Sequence, residues 1–131
     1  VIVVDSSALI AVLFAEPERQ AFEDVIAGSE RCVISAVNAH ETATALRLRH
    51  RPAAVGRFWQ FLIDSEIEVV PFDMMQVRAA AVAFHRYGKG INPTARLNLA
   101  DGVAYALAKT ADAPLLFKGN DFTQTDLRSC L

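Results

Sequence analysis

The chain opens with VIVVDSSALIAVLF, in which Asp5 is the only charged residue. Its first four residues are all β-branched aliphatics, with no polar residue alternating between them. A sheet with one face in water would show alternation, whereas a strand covered on both faces reads as a continuous apolar run. The opening therefore demands helices on both sides of a sheet.

The rest of the chain supplies them. SSALIAVLFA reads as a helix that stops near Glu16-Pro17, and residues 18–27 as a second one closed by Gly28. RCVIS reads as a strand, followed by a long helix, AVNAHETATALRLRH, ending before Pro52. A helix over AAVGRFWQFLID, a strand over IEVVPF and a helix over MMQVRAAAVAFHRYG come next. KGINPTARLN is a loop by its Gly, Pro and Asn content, LADGVAYALAKTAD a helix, and PLLFKG a last short strand. Strands alternating with helices predict an α/β sandwich around a mostly parallel sheet. At 131 residues and 53% hydrophobic, the chain suits one domain over residues 1–131.

Composition narrows the setting. No uncharged apolar stretch approaches the roughly 20 residues needed to span a bilayer. The N-terminal run lacks a basic leader region and carries Asp5 within it, which makes a poor signal peptide. Two cysteines, Cys32 and Cys130, give no disulfide framework, so a cytoplasmic location is expected, with no membrane role. The net charge of −2 does not mark a nucleic-acid binder. Arginines nevertheless outnumber lysines ten to three, and Arg47, Arg49, Arg51 and Arg57 crowd together beside His50. Taken alone, that cluster reads as a solvated helix C-terminus complementing the macrodipole.

Four acids stand in apolar surroundings. Asp5 ends the first strand, where it is a good N-cap for the helix that follows. Glu41 falls on a helical stripe with Val37, Ala45 and Leu48, where it is either functional or at an edge that lets it reach water or an arginine. Asp101 follows Asn98 by three residues, the spacing of a capping box, and precedes Gly102, a costly residue inside a helix unless backbone must approach closely. Asp121 lies in a Gly-Asn-Asp turn after the last strand. Each has an ordinary explanation by itself. Together they all sit near carboxyl ends of strands, where ligands of open α/β sheets bind. Carboxylates gathered there repel one another and call for a positive charge. Hard oxygen donors without Cys/His spacing suit Mg²⁺ or Mn²⁺, the usual apparatus for phosphodiester hydrolysis.

VVDSSAL at 3–9, ISAVNAHETATAL at 34–46, LNLADGVAYALAK at 97–109 and LLFKGNDFTQTDL at 115–127 occur in the order that resembles PIN-domain nucleases, specifically VapC-type toxins of toxin–antitoxin pairs. The resemblance implies a PIN-like α/β/α sandwich and a Mg²⁺-dependent endoribonuclease, with Mn²⁺ able to substitute. It implies transfer or ribosomal RNA as substrate, a cognate antitoxin as inhibitor, and a homodimer. By motif, Asp5, Glu41 and Asp101 match the acidic metal-binding positions, and Asp121 the region of a fourth acid. Ser7 matches a small polar supporting position, Asn98 a polar residue ahead of the third acid, and Asn120 precedes the fourth. Arg47, Arg49, Arg51, Lys89 and Arg96 are candidates to hold RNA phosphates.

Other readings bear on the same residues. His40 and His50 are expected at the surface or in caps. Phe58, Trp59 and Leu62 share a face with Val55 and are expected in the core, with Phe61 pointing off it. A noncatalytic Mg²⁺-binding receiver-like module would need a phospho-accepting Asp after the third strand, where only Asp73 is near. A PIN-fold interaction module without catalysis is the other alternative.

Overall fold

A computed structural model of the chain describes residues 1–49 and 52–131. His50 and Arg51 lie outside the described residues. Along the chain run β1 (Ile2–Val4), α1 (Ser6–Leu13), α2 (Arg19–Ala27), β2 (Cys32–Ser35) and α3 (Ala36–Arg49). There follow α4 (Pro52–Asp64), β3 (Ile67–Val70), α5 (Met74–Tyr87), α6 (Leu99–Thr110) and β4 (Leu115–Leu116). The four strands form one parallel sheet in the order β3-β2-β1-β4.

The apolar opening behaves as a doubly covered strand must. Ile2 and Val4 face one core with Cys32 and Ile34 of β2, closed by α1–α4 through Leu9, Phe22, Leu46 and Phe58. Val3 and Val33 face the other, closed by α5 and α6 through Ala83, Tyr87, Ala104 and Tyr105. The α/β/α sandwich expected from sequence is the observed fold. From β1 the chain moves outward to β2 and β3, then returns to place β4 on β1's other edge. The order reverses beside β1, the kind of point beyond whose strand carboxyl ends open α/β sheets bind ligands.

Several local expectations are corrected. On α3 the buried face is Asn38, Ala39, Thr42 and Leu46, not the stripe through Val37, Ala45 and Leu48; Leu48 is 80% exposed. On α4, Phe58 and Leu62 are buried as expected, but Trp59 is 45% exposed and Phe61 packs against the core. The helix turns Phe61 inward because it lies three residues after buried Phe58 and seven after buried Ala54. β3 stops at Val70 ahead of Pro71, and β4 is only two residues long. The loop after α5 is tied across its base by a Gly88–Leu97 bridge, and a Leu115–Ser129 bridge extends the sheet edge. No helix among the described residues is long and apolar enough to cross a membrane.

Candidate active site

Asp5 leaves β1 in extended conformation and caps α1. Its amide donates to the Leu116 carbonyl at 2.9 Å, which fixes it at the β1–β4 junction. Its Oδ2 accepts from the Ser7 amide at 3.1 Å and the Ser7 hydroxyl at 2.6 Å. At 4% exposure it is buried, and burial is the main reason its carboxyl is pushed from 3.8 up to about 6. The Ser7 bonds pull the other way without cancelling that effect, and the Glu41 charge adds to the rise. Capping and a strained charge are thus both true of Asp5. The Ser7 hydroxyl also accepts from the Lys118 amide at 3.0 Å, joining the start of α1 to the segment after β4.

Glu41 is half-buried in the second turn of α3. Its Oε1 accepts from the Ser6 hydroxyl at 2.8 Å and, at a longer 3.4 Å, from Asn38 Nδ2. Asp101 occupies the first turn of α6 in a complete capping box. Asn98 Oδ1 accepts from the Asp101 amide at 2.8 Å, and Asp101 Oδ2 from the Asn98 amide at 3.0 Å. Its carboxyl is pushed up to about 7, first by burial and then by the charges of Asp5, Asp121 and Glu41, against the Asn98 amide. All four acids therefore share one electrostatic neighbourhood.

Asp121 is exposed on the turn beyond β4, which passes through Gly119 at φ +94°. Asn120 is exposed beside it, its carbonyl accepting from Thr123. Among the described residues no three His, Cys, Asp or Glu side chains are drawn close enough to form a finished cation cage. The donor set is all carboxylate oxygen, with burial and mutual repulsion opposing ionisation at Asp5 and Asp101. Such a set suits a hard cation that keeps several waters and takes only a few protein ligands.

The candidate phosphate-binding residues lie elsewhere in kind. Arg47, Arg49, Lys89 and Arg96 are exposed, and none is in an ion pair among the described residues. Arg51 falls outside them. The Lys89 amide donates to the Leu97 carbonyl, so the loop brings Lys89 beside the backbone that follows Arg96. Exposed His40 fits its expected surface place. Gly102 is buried, but a Cβ there would meet only the Ala80 carbonyl at 3.9 Å, so it serves no tight approach.

Three features escaped the sequence reading. Ser6 holds Glu41, Asn38 bridges α3 to the Ala100 carbonyl of α6 at 3.1 Å, and Lys118 pairs with Glu16 and Glu18. A polar Asn one helical turn before Glu41 was the available signal for Asn38. Asp73, the acid a receiver would need, caps α5 by accepting from the Gln76 amide at 2.9 Å.

A doubly covered parallel sheet with acids at its carboxyl edge has a family match. The PIN domain profile matches residues 2–127. The chain is 39% identical over 126 residues to Ribonuclease VapC42 of Mycobacterium tuberculosis, covering 96% of each. It superposes on the crystal structure of Mycobacterium tuberculosis VapC20, described as a sarcin–ricin-loop-cleaving toxin. That match has a TM-score of 0.78 and 15% identity, covering 97% of this chain and 96% of the other. It also superposes on a toxin–antitoxin complex from Klebsiella pneumoniae, with a TM-score of 0.69 and 16% identity, covering 96% and 93%. The chain belongs to the PIN-domain family, among its VapC-type members.

Proposed function

We propose that this protein is a Mg²⁺-dependent endoribonuclease toxin, with Mn²⁺ able to replace Mg²⁺, restrained by a cognate antitoxin. The observation that carries the reading is the shared field of Asp5, Glu41, Asp101 and Asp121 near the carboxyl ends of the strands, where burial first and then the other three charges push the Asp101 carboxyl up. The ribonuclease names of its relatives and the toxin–antitoxin complex of similar fold support the same reading.

Asp5, Glu41 and Asp101 would hold the metal, directly or through water, with Asp121 completing the acidic set. Bound there, a divalent ion supplies Lewis-acid stabilisation of phosphate charge and lowers the pKa of water. The protein's own part is placement. Ser7 and the β4 backbone fix Asp5, Ser6 restrains Glu41, and Asn98 locks Asp101 to its helix turn. Without a cation the cleft repels phosphate, so cation occupancy precedes productive RNA binding. Arg47, Arg49, Lys89 and Arg96 would hold RNA phosphates, with transfer or ribosomal RNA as the substrate class. A homodimer acting in the cytoplasm completes the proposal.

The test is cleavage of purified transfer and ribosomal RNA with Mg²⁺ or Mn²⁺, by wild type, Asp5→Asn and Asp101→Asn. Cleavage by wild type alone is expected. Equal cleavage by all three would contradict the reading, and folded variants with no cleavage by any would favour a noncatalytic PIN module.

A further inference from the structure

Asn38 is 1% exposed on the buried face of α3. Its Nδ2 donates to two acceptors, the Ala100 carbonyl at 3.1 Å and Glu41 Oε1 at 3.4 Å. The amide cannot be turned over, because Oδ1 would then face two oxygens. In the orientation it holds, Oδ1 is buried and meets no donor among the described residues. A buried carbonyl without a donor is destabilising, and an apolar side chain of similar shape would avoid that. Asn38 is therefore a poor choice for stability alone. What it provides is a donor anchored on the first turn of α6, one residue before Asp101, and aimed at Glu41.

We propose that Asn38 is a positioning residue for Glu41, using the Ala100 carbonyl as its anchor. This rests on the acidic cluster being the cation site proposed above. Both protein donors to Glu41, Ser6 and Asn38, go to Oε1, and none goes to Oε2 among the described residues. The pair turns Oε1 toward the protein and leaves Oε2 for the ligand. Ser6 reaches the carboxylate from the start of α1, and Asn38 from one turn earlier on α3, where the Ala100 carbonyl of α6 anchors its amide.

The test is Mn²⁺ binding to the full chain by calorimetry, with urea unfolding in chelator, for wild type, Asn38→Leu and Asn38→Ala. Asn38→Leu removes both the donor and the orphaned oxygen at similar volume. It is expected to unfold at the same urea concentration as wild type or higher, while its Mn²⁺ dissociation constant rises about tenfold. The paramagnetic resonance spectrum of its bound Mn²⁺ should also change shape, which a remote packing defect would not cause. Unchanged Mn²⁺ affinity and spectrum in Asn38→Leu would overturn the proposal. So would lower urea midpoints in both variants, which would make Asn38 a structural residue. Wild type that binds no Mn²⁺ would overturn the site reading itself, and that outcome is distinct from a wild type that binds while Asn38→Leu binds equally.

Discussion

Ser6 and Glu41 are joined by a 2.8 Å hydrogen bond across 35 residues of chain, while Ser7, the next residue, bonds Asp5 instead. Two adjacent serines thus serve two different acids. The exchange is local at Ser7, within one N-cap, and long-range at Ser6, where it ties α1 to α3.

The two serines should therefore differ on substitution. Ser7→Ala strips a charge-assisted bond from a buried carboxylate and should cost about 1–3 kcal/mol at pH 7. Ser6→Ala leaves Glu41 half-buried, with Asn38 still in reach, and should cost about 1 kcal/mol or less. Urea unfolding of the two variants measures the difference. A larger loss for Ser6→Ala would contradict the account.

Asp5 gives a pH signature. Its folded-state carboxyl lies near 6 against an ordinary 3.8, so the native state holds the proton more tightly than the unfolded chain. Stability then declines as pH rises from about 4 to 6, and the full penalty stands above that. Asp101 extends the decline toward pH 7. Asp5→Asn keeps an oxygen for the α1 cap and removes the buried charge. In chelator at pH 8 it should be more stable than wild type by up to about 3 kcal/mol, with the gain gone below about pH 4. A variant less stable than wild type at pH 8 would show that the charge is favourable where it sits.

Gly102 should accept a side chain. It lies inside α6, and a Cβ would stand 3.9 Å from its nearest neighbour outside the helix, the Ala80 carbonyl. Gly102→Ala should raise stability by about 0.5–1 kcal/mol through helix propensity. Thermal unfolding checks this, and a loss would mean that the α5–α6 contact needs the bare backbone.

The C-terminal segment is pinned by the Tyr105 hydroxyl, which donates to Asp126 Oδ1 at 2.5 Å, and by Lys109, 3.0 Å from Oδ2. These bonds hold the Asp126 carboxyl below its usual range, with the Tyr105 bond the largest cause. A depressed carboxyl stabilises above its unfolded value and loses that contribution as pH falls through the folded one. Tyr105→Phe should cost about 1–2 kcal/mol at pH 7 and less in acid. Hydrogen exchange should rise first in residues 122–131. An equal cost at pH 7 and in acid would contradict the ionised partner.

The sheet was legible because VIVV and RCVIS leave no wet face, and Asp5 and Asp101 stood out because each interrupts an apolar run, whereas Asp121 sits in an ordinary Gly-Asn-Asp turn. Asn98 and Asp101 announced their capping box by spacing alone, and it is present. What spacing could not give was which of two similar stripes on α3 turns inward. Val37, Ala45 and Leu48 are more apolar than Asn38 and Thr42, yet the latter are buried. The Thr42 hydroxyl donates to the Asn38 carbonyl at 2.8 Å, and Asn38 Nδ2 to the Ala100 carbonyl across 62 residues. A tertiary partner of that kind is invisible to periodicity. Trp59 misled for a related reason, since a large aromatic can lie exposed beside a buried Phe58 at 4.8 Å between ring centroids.

The proposed activity stands on a divalent cation held by the acids around Asp5. Calorimetric titration of Mn²⁺ into wild type and Asp5→Asn, at low and moderate salt, tests it most directly. Saturable binding in the micromolar to millimolar range by wild type is expected, lost in a variant that remains folded. No binding by wild type, or equal binding by both, would return Asp5 to helix capping and contradict the account.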